Sequence, residues 1–314
     1  MIKIDPSERL TPAYDITKRA TPDGVEKTGY YGIPILKRPF WHWEIALYFF
    51  FEGVSAGSFL LCSVAEFAGG EKYRGLIRKG RLLSLATLLP CPPLLIADLG
   101  RPERFHHMLR IFKKTSPMNH GAWALTGYGT FAALATALKL VGGAGTRVTA
   151  LVGSPFAFTM VSYPGVLLST TSIPVWAHTH FLGALLASSS MSSAASALTL
   201  LSNGSESEPG HKALARFEDI AAAAEAIALG AYLKTTSAAA RPLLKGKQSR
   251  LFRWGAIGAG IVAPFLLRRM KSKLASGVIA PLLTLAGSAA LKWSITYAGE
   301  ESAMDVELAV HNAR

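Results

Sequence analysis

DLGRPERFHHMLRIFKKTSPMNHG, residues Asp98 to Gly121, decides how the rest of the chain is read. It packs Arg101, Glu103, Arg104, His106, His107, Arg110 and His120 between two long apolar runs. An ordinary connector between helices is short and rich in Gly, Ser or Asn, so this block carries more chemistry than a turn requires. Outward from it, apolar stretches recur through almost the whole chain. Of 314 residues half are hydrophobic and 17% charged, and the mean hydropathy is positive. That is too apolar for a soluble domain of this size. A helix needs about 20 apolar residues to cross about 30 Å of hydrocarbon. The strand alternation of a membrane barrel is missing, so the fold class expected is all-α, a polytopic membrane protein of about eight transmembrane helices in two four-helix bundles.

The expected spans are Trp41–Ala68, Arg81–Ala97, Pro117–Leu140, Val148–Thr170, Pro174–Leu201, Ala213–Leu233, Trp254–Leu267 and Leu274–Tyr297. Four segments follow from them. Residues 1–38 form a polar extended arm, 39–202 a first bundle, 203–299 a second bundle, and 300–314 an acidic tail. Gly53 and Gly57, four apart, allow another helix to approach the first one closely. Pro90, Pro92 and Pro93 should break the second span. Cys62 and Cys91 lie in apolar runs without CxxC spacing and read as small packing residues.

The net charge of +13 comes from basic residues scattered over short links, which fits membrane flanks better than a nucleic-acid surface. Lys and Arg nearly balance between the two sets of links, so they favour neither face as cytoplasmic. Eight spans bring three polar-aromatic clusters to one face: His42, Trp43 and Glu44; Asp98, Arg101 and His106 to His120; and Thr171, Pro174, Trp176, His178 and His180.

DLGRPERF followed by SPMNHGAW, YPGVLLSTTSIPVW from Tyr163 to Trp176, and HWEIALYFFFEGVSAG from His42 to Gly57 together resemble the membrane subunit of polysulfide reductase and its relatives, the NrfD family. The similarity covers most of spans one to five. It departs from the family pattern at His106 and His120, where aromatic residues are more usual. The resemblance implies an eight-helix subunit of a prokaryotic inner-membrane oxidoreductase complex. Such a subunit reacts with quinone and is not a complete enzyme by itself. It would bind menaquinone or ubiquinone, carry no haem or iron–sulfur cluster, and pair with a ferredoxin-like iron–sulfur subunit and a molybdopterin or cytochrome catalytic subunit.

Quinol oxidation releases two electrons and two protons, so a site needs partners for the ring oxygens and a proton acceptor. The residues that fit are His42 and Tyr163 on the ring oxygens, with Trp43, Glu44, Tyr48, His120 and Trp176 around them. Asp98 is the expected proton acceptor, held near Arg101, although the pair also fits a tight turn. Glu52 is the expected relay toward the membrane interior; a protonated Glu bonded between helices is the alternative. Trp176 reads as a pocket wall or interfacial anchor. No metal ligand set is expected. A dihaem cytochrome b-type anchor, a secondary transporter and an anchor without redox chemistry are the rival classes.

Overall fold

The computed structural model describes residues 35–177, 179–202, 208–270 and 272–312. All but four residues of the expected N-terminal arm, together with His178, lie outside these ranges. Among the described residues the regular secondary structure is entirely helical. Five helical runs are long and apolar enough to cross a membrane by length and composition: Trp43–Ala97, Pro117–Val141, Thr146–Ser169, Phe181–Ser202 and Ala275–Met304. The protein is a multi-pass membrane protein.

The first run folds back on itself. Helix α1 (Trp43–Gly69) leads through a 3-10 turn into α2 (Arg74–Leu88), which packs antiparallel to it. Gly70 makes the reversal with φ 31°, a conformation that costs other residues dearly. As expected, the proline cluster breaks the helix: α2 ends before Pro90, and α3 (Cys91–Ala97) starts with Pro92 and Pro93 in its first turn, where missing N–H groups cost nothing. Next come α4 (Pro117–Val141) and α5 (Thr146–Ser169).

The expected fifth span is in fact two pieces. A short helix α6 (Pro174–Ala177) is separate from α7 (Phe181–Ser202), because the Thr179 hydroxyl accepts the Phe181 N–H at 3.0 Å and restarts the helix. Helix α8 (Glu208–Thr236) contains the expected sixth span and is long but comparatively polar. After α9 (Arg241–Lys245), the expected seventh span lies within π-helical turns Leu251–Val262 that run into α10 (Ala263–Leu267). The last long run ends in α11 (Ala280–Met304), followed by α12 (Val306–Asn312). Of the residues expected as an acidic tail, 300–304 close α11 and 306–312 form α12, with Asp305 extended between them. Their carboxylates have cationic partners: Glu300 pairs with Arg38, and Arg241 lies 3.1 Å from Glu307 and 3.8 Å from Asp305.

Close approach of backbones organises the centre. At Gly53 and Gly57 any side chain would overlap Ser190 and Ala194, so α1 meets α7 with only those two small side chains between them, a close approach that the four-residue spacing predicts. Gly260 and Gly287 do the same for the π-helical segment and α11. Polar groups tie α1, α2 and α4 together: Tyr128 shares hydrogen bonds with Ser55 at 2.7 Å and Ser84 at 2.8 Å, all three fully buried.

Candidate functional site

One end of the bundle gathers the start of α1, the end of α3 and the polar block. His42 is the N-cap residue of α1, in extended conformation. Its backbone N–H points at Asp98 Oδ1 across 3.5 Å, a long contact that joins the start of α1 to the end of α3. Burial pushes the Asp98 carboxyl above its ordinary value of 3.8; the His42 N–H and the His42 ring hold the rise down, and the Glu44 charge adds to it. Glu44 Oε2 is itself buried without a hydrogen-bond partner.

The polar block is built by its own side chains. Pro102 opens a 3-10 helix, Pro102–Leu109, and Ser116 caps α4 by accepting the Asn119 N–H, with Pro117 at the first helical position. Asn119 clamps the loop from the other side: Oδ1 accepts Lys113 N–H at 2.7 Å, and Nδ2 donates to Met108 O at 2.7 Å. Ser116, Pro117 and Asn119 thus have a structural task. Gly121 completes it, because any side chain there would overlap the ring of Tyr163 on α5, whose hydroxyl donates to Pro117 O at 3.2 Å.

The expected site residues fall into separate places. His42, Asp98 and Glu44 meet at the α1–α3 junction. Tyr48 and Glu52 are buried one and two turns deeper on α1, and Tyr48 lies within electrostatic reach of Glu52, Cys91 and Tyr163. Trp43 is exposed. Arg101 is exposed too, and among the described residues it forms no ion pair with Asp98. His120 is exposed, its ring tilted against Phe112 with centroids 5.3 Å apart. Trp176 is fully buried: its indole N–H donates to Ile295 O at 2.9 Å, its ring stacks on Trp41 at 5.2 Å, and Gly299 leaves room for it.

The expectation of a bound quinone is therefore corrected. Trp43 and His120 face outward, the indole donor of Trp176 and the hydroxyl of Tyr163 are already engaged, and these residues do not close into one aromatic cluster. Among the described residues, no group of three or more His, Cys, Asp or Glu side chains could hold a metal ion. The cofactor reading falls as a whole: neither a resident quinone nor the expected absence of haem and iron–sulfur centres has a structural basis here. The apolar cavity at this end, about 300 Å³, lies elsewhere, between α2, α3, the 3-10 helix and α4; Leu95, Phe105, Leu109 and Leu125 are among its walls, and none of the expected residues is.

Sequence reasoning missed two buried cations. Arg81, read as a flanking charge, is 1% exposed: it pairs with Glu66 at 3.1 Å, donates to Ser63 Oγ and Phe59 O, and covers the Phe59 ring. Lys292, in the run LAGSAALKWSITYAG, is equally buried on α11. Its signal was one charge in the middle of an apolar stretch.

Residues 36–302 match the family described as Polysulphide reductase, NrfD. The protein is 27% identical over 299 residues to one of the polypeptides of the polysulfide reductase of Wolinella succinogenes, covering 83% of this chain and 94% of that protein. It is 35% identical over 78 residues to the membrane subunit of a putative dimethyl sulfoxide reductase of Halobacterium salinarum, covering 25% of this chain and 18% of that protein. With most of its length inside the family match, the chain belongs to the polysulphide reductase NrfD family and has the role of a membrane subunit of an oxidoreductase.

Proposed function

We propose that this protein is the membrane subunit of a respiratory oxidoreductase in a prokaryotic inner membrane. It exchanges electrons between a lipid-soluble carrier, met as a transient substrate, and a ferredoxin-like iron–sulfur subunit docked outside the bilayer. A molybdopterin or cytochrome catalytic subunit would complete the assembly. The relative from Wolinella succinogenes is by its name one part of a reductase, and nearly all of its length is matched here.

The observation that carries the reading is the polar block. It leaves Phe105, Ile111 and Phe112 uncovered beside Arg101, Arg104, Arg110, Lys113 and Lys114, all on the end where His42 meets Asp98. Exposed apolar rings interleaved with cations suit a protein partner whose docking face is acidic. A two-electron carrier that releases two protons needs an acceptor near that partner. The half-buried Asp98, whose carboxyl is pushed upward by burial, supports the choice of that residue.

The test is the assembled complex. Arg104→Glu together with Arg110→Glu should detach the iron–sulfur subunit on affinity purification while leaving the protein inserted in the membrane. Asp98→Asn should keep the partner bound and slow electron transfer from the lipid pool by about a hundredfold, the low end of what a general acid–base group contributes. Unchanged transfer in Asp98→Asn would leave this end with an anchoring role alone.

A further inference from the structure

The proline break in the first run opens a slot in the side of the bundle. Helix α2 packs on α4, but α3, which restarts after Pro90, packs against α1 and the 3-10 helix. The gap left between α3 and α4 is the apolar cavity of about 300 Å³. It follows α4 from Ala122 to Gly129, two turns of helix or about 10 Å. Thr126 is the polar side chain in its wall, and its hydroxyl donates to Ala122 O on its own helix at 2.8 Å. The slot therefore offers an occupant no free polar side chain, and an apolar cavity of this kind stays dry. Pro92 and Thr126, both exposed, stand where it opens sideways toward the space that lipid fills.

The 3-10 helix Pro102–Leu109 roofs the slot at the membrane surface. Residues three apart eclipse on such a helix, so its side chains fall into rows. Phe105 and Met108 form the row in the cavity wall, with Leu109 beside them. Arg104 and His107 form the next row, and Arg110 caps the helix in line with them; all three are exposed. Arg101 stands at the other end of the helix, and Lys113 and Lys114 follow it in the chain, against one acid, Glu103. A dry slot that opens into the bilayer thus lies under a rim of cations.

A lipid tail gains no hydrophobic energy by leaving the bilayer for this slot, because the tails around it are as apolar as leucine. Selection must come from the head. Each Lys or Arg near a membrane surface favours an anionic head about fivefold, whereas the ammonium of a zwitterionic head offsets its own phosphate. We propose that the slot holds one acyl chain of an anionic phospholipid, whose phosphate lies against Arg104 and Arg110 at the rim. This goes beyond the assembly reading, since it concerns the bilayer's own molecules and requires no electron carrier.

The test reads lipid bound to the full-length protein by native mass spectrometry. Protein purified with its partners and stripped by excess detergent is given phosphatidylglycerol and phosphatidylethanolamine, with identical chains, in equal amounts. Wild type should carry one phosphatidylglycerol, favoured over phosphatidylethanolamine by about fivefold or more. At Gly129 an added Cβ meets only Leu88 Cδ2, at 3.6 Å, so Gly129→Leu grows into the slot and should lose the bound lipid. Arg104→Gln together with Arg110→Gln should remove the preference between the two heads. Ile227→Ala, on the exposed face of α8, should change neither. Should Gly129→Leu fail to fold, Ala122→Leu fills the same slot from its other end and carries the decision. Equal binding of the two lipids by wild type, or full retention in the slot-filling variant, overturns the proposal. So does displacement of phosphatidylglycerol by a neutral isoprenoid alcohol at equal concentration, or lipid carried only by assemblies that lack the partner. Assemblies with and without the iron–sulfur subunit differ in mass, so a lost partner is not read as a lost lipid, and the docking proposal keeps its own test.

Discussion

Two buried charge clusters flank α1, and they are built on opposite principles. Around Arg81, the Glu66 carboxylate sits at 3.1 Å, Lys139 lies 3.9 Å from the other Glu66 oxygen, and the guanidinium also reaches Ser63 Oγ and Phe59 O. Thr136 closes the site by donating to Arg81 O at 3.1 Å. Around Lys292, the amine donates to Ser288, whose hydroxyl bonds Ser189 beside Glu225, while Glu52 is reached through space and has Tyr48 as its nearest hydroxyl. Both clusters bear the desolvation cost of buried ions. The first recovers it through direct, fixed contacts; the second relies on serine hydroxyls and on attraction through space.

The contrast can be broken by stability measurements. Arg81→Met should cost the most, about 3–5 kcal/mol, because Glu66 is left as a buried charge facing only a more distant Lys139; the thermal midpoint in detergent should fall steeply. Lys292→Met should cost less, about 1.5–3 kcal/mol, the worth of a hydrogen bond to a charged group, since Glu52 and Glu225 can become neutral by binding protons. Equal losses in the two variants would erase the distinction between the two clusters. Thr136→Val should cost about 0.5–1.5 kcal/mol, one hydrogen bond at the closed cluster.

The smallest effect is expected at the docking end. Because the folded Asp98 carboxyl titrates above the ordinary value of 3.8, the folded state holds its proton more tightly than the unfolded state does. Stability contributed by the protonated group is therefore present below 3.8 and is lost as pH rises through the raised value. Asp98→Asn should flatten that part of the stability–pH curve, and denaturant unfolding at a series of acidic pH values would show it. A steeper curve in the variant would mean that the carboxylate, and not the acid, is the form the fold favours.

Much of the architecture was legible in the sequence, because apolar runs, glycine spacing and proline clusters report local physics. Gly53 and Gly57 announced a close helix approach to α1, though not that its partner is α7, and Pro90 announced the break after α2. Charges were harder to read. Arg81 sits near a span end, where a basic residue ordinarily reaches water, and its burial depends on Glu66 fifteen residues away and on Phe59 beneath it. The split between α6 and α7 depends on one Thr179 hydroxyl. The carboxylates of the expected acidic tail meet Arg38 and Arg241, which lie far away in sequence and which its own composition does not announce. The candidate ring-binding set was assembled from residues that share a membrane face, but a shared face does not determine which side chains meet. Tyr163 and Trp176 are held by Pro117 and Ile295, and neither of those residues carries a chemical signal.

The indole of Trp176 links distant parts of the molecule. It is bolted to the carbonyl of Ile295, three positions beyond Lys292 on the same helix, while its ring lies flat on Trp41 at the mouth of α1. Any twist of α11 that swings the amine must also turn that carbonyl and lever the stacked rings next to His42. One buried side chain thus ties the last long helix, a turn beyond Lys292, to the residue that precedes His42.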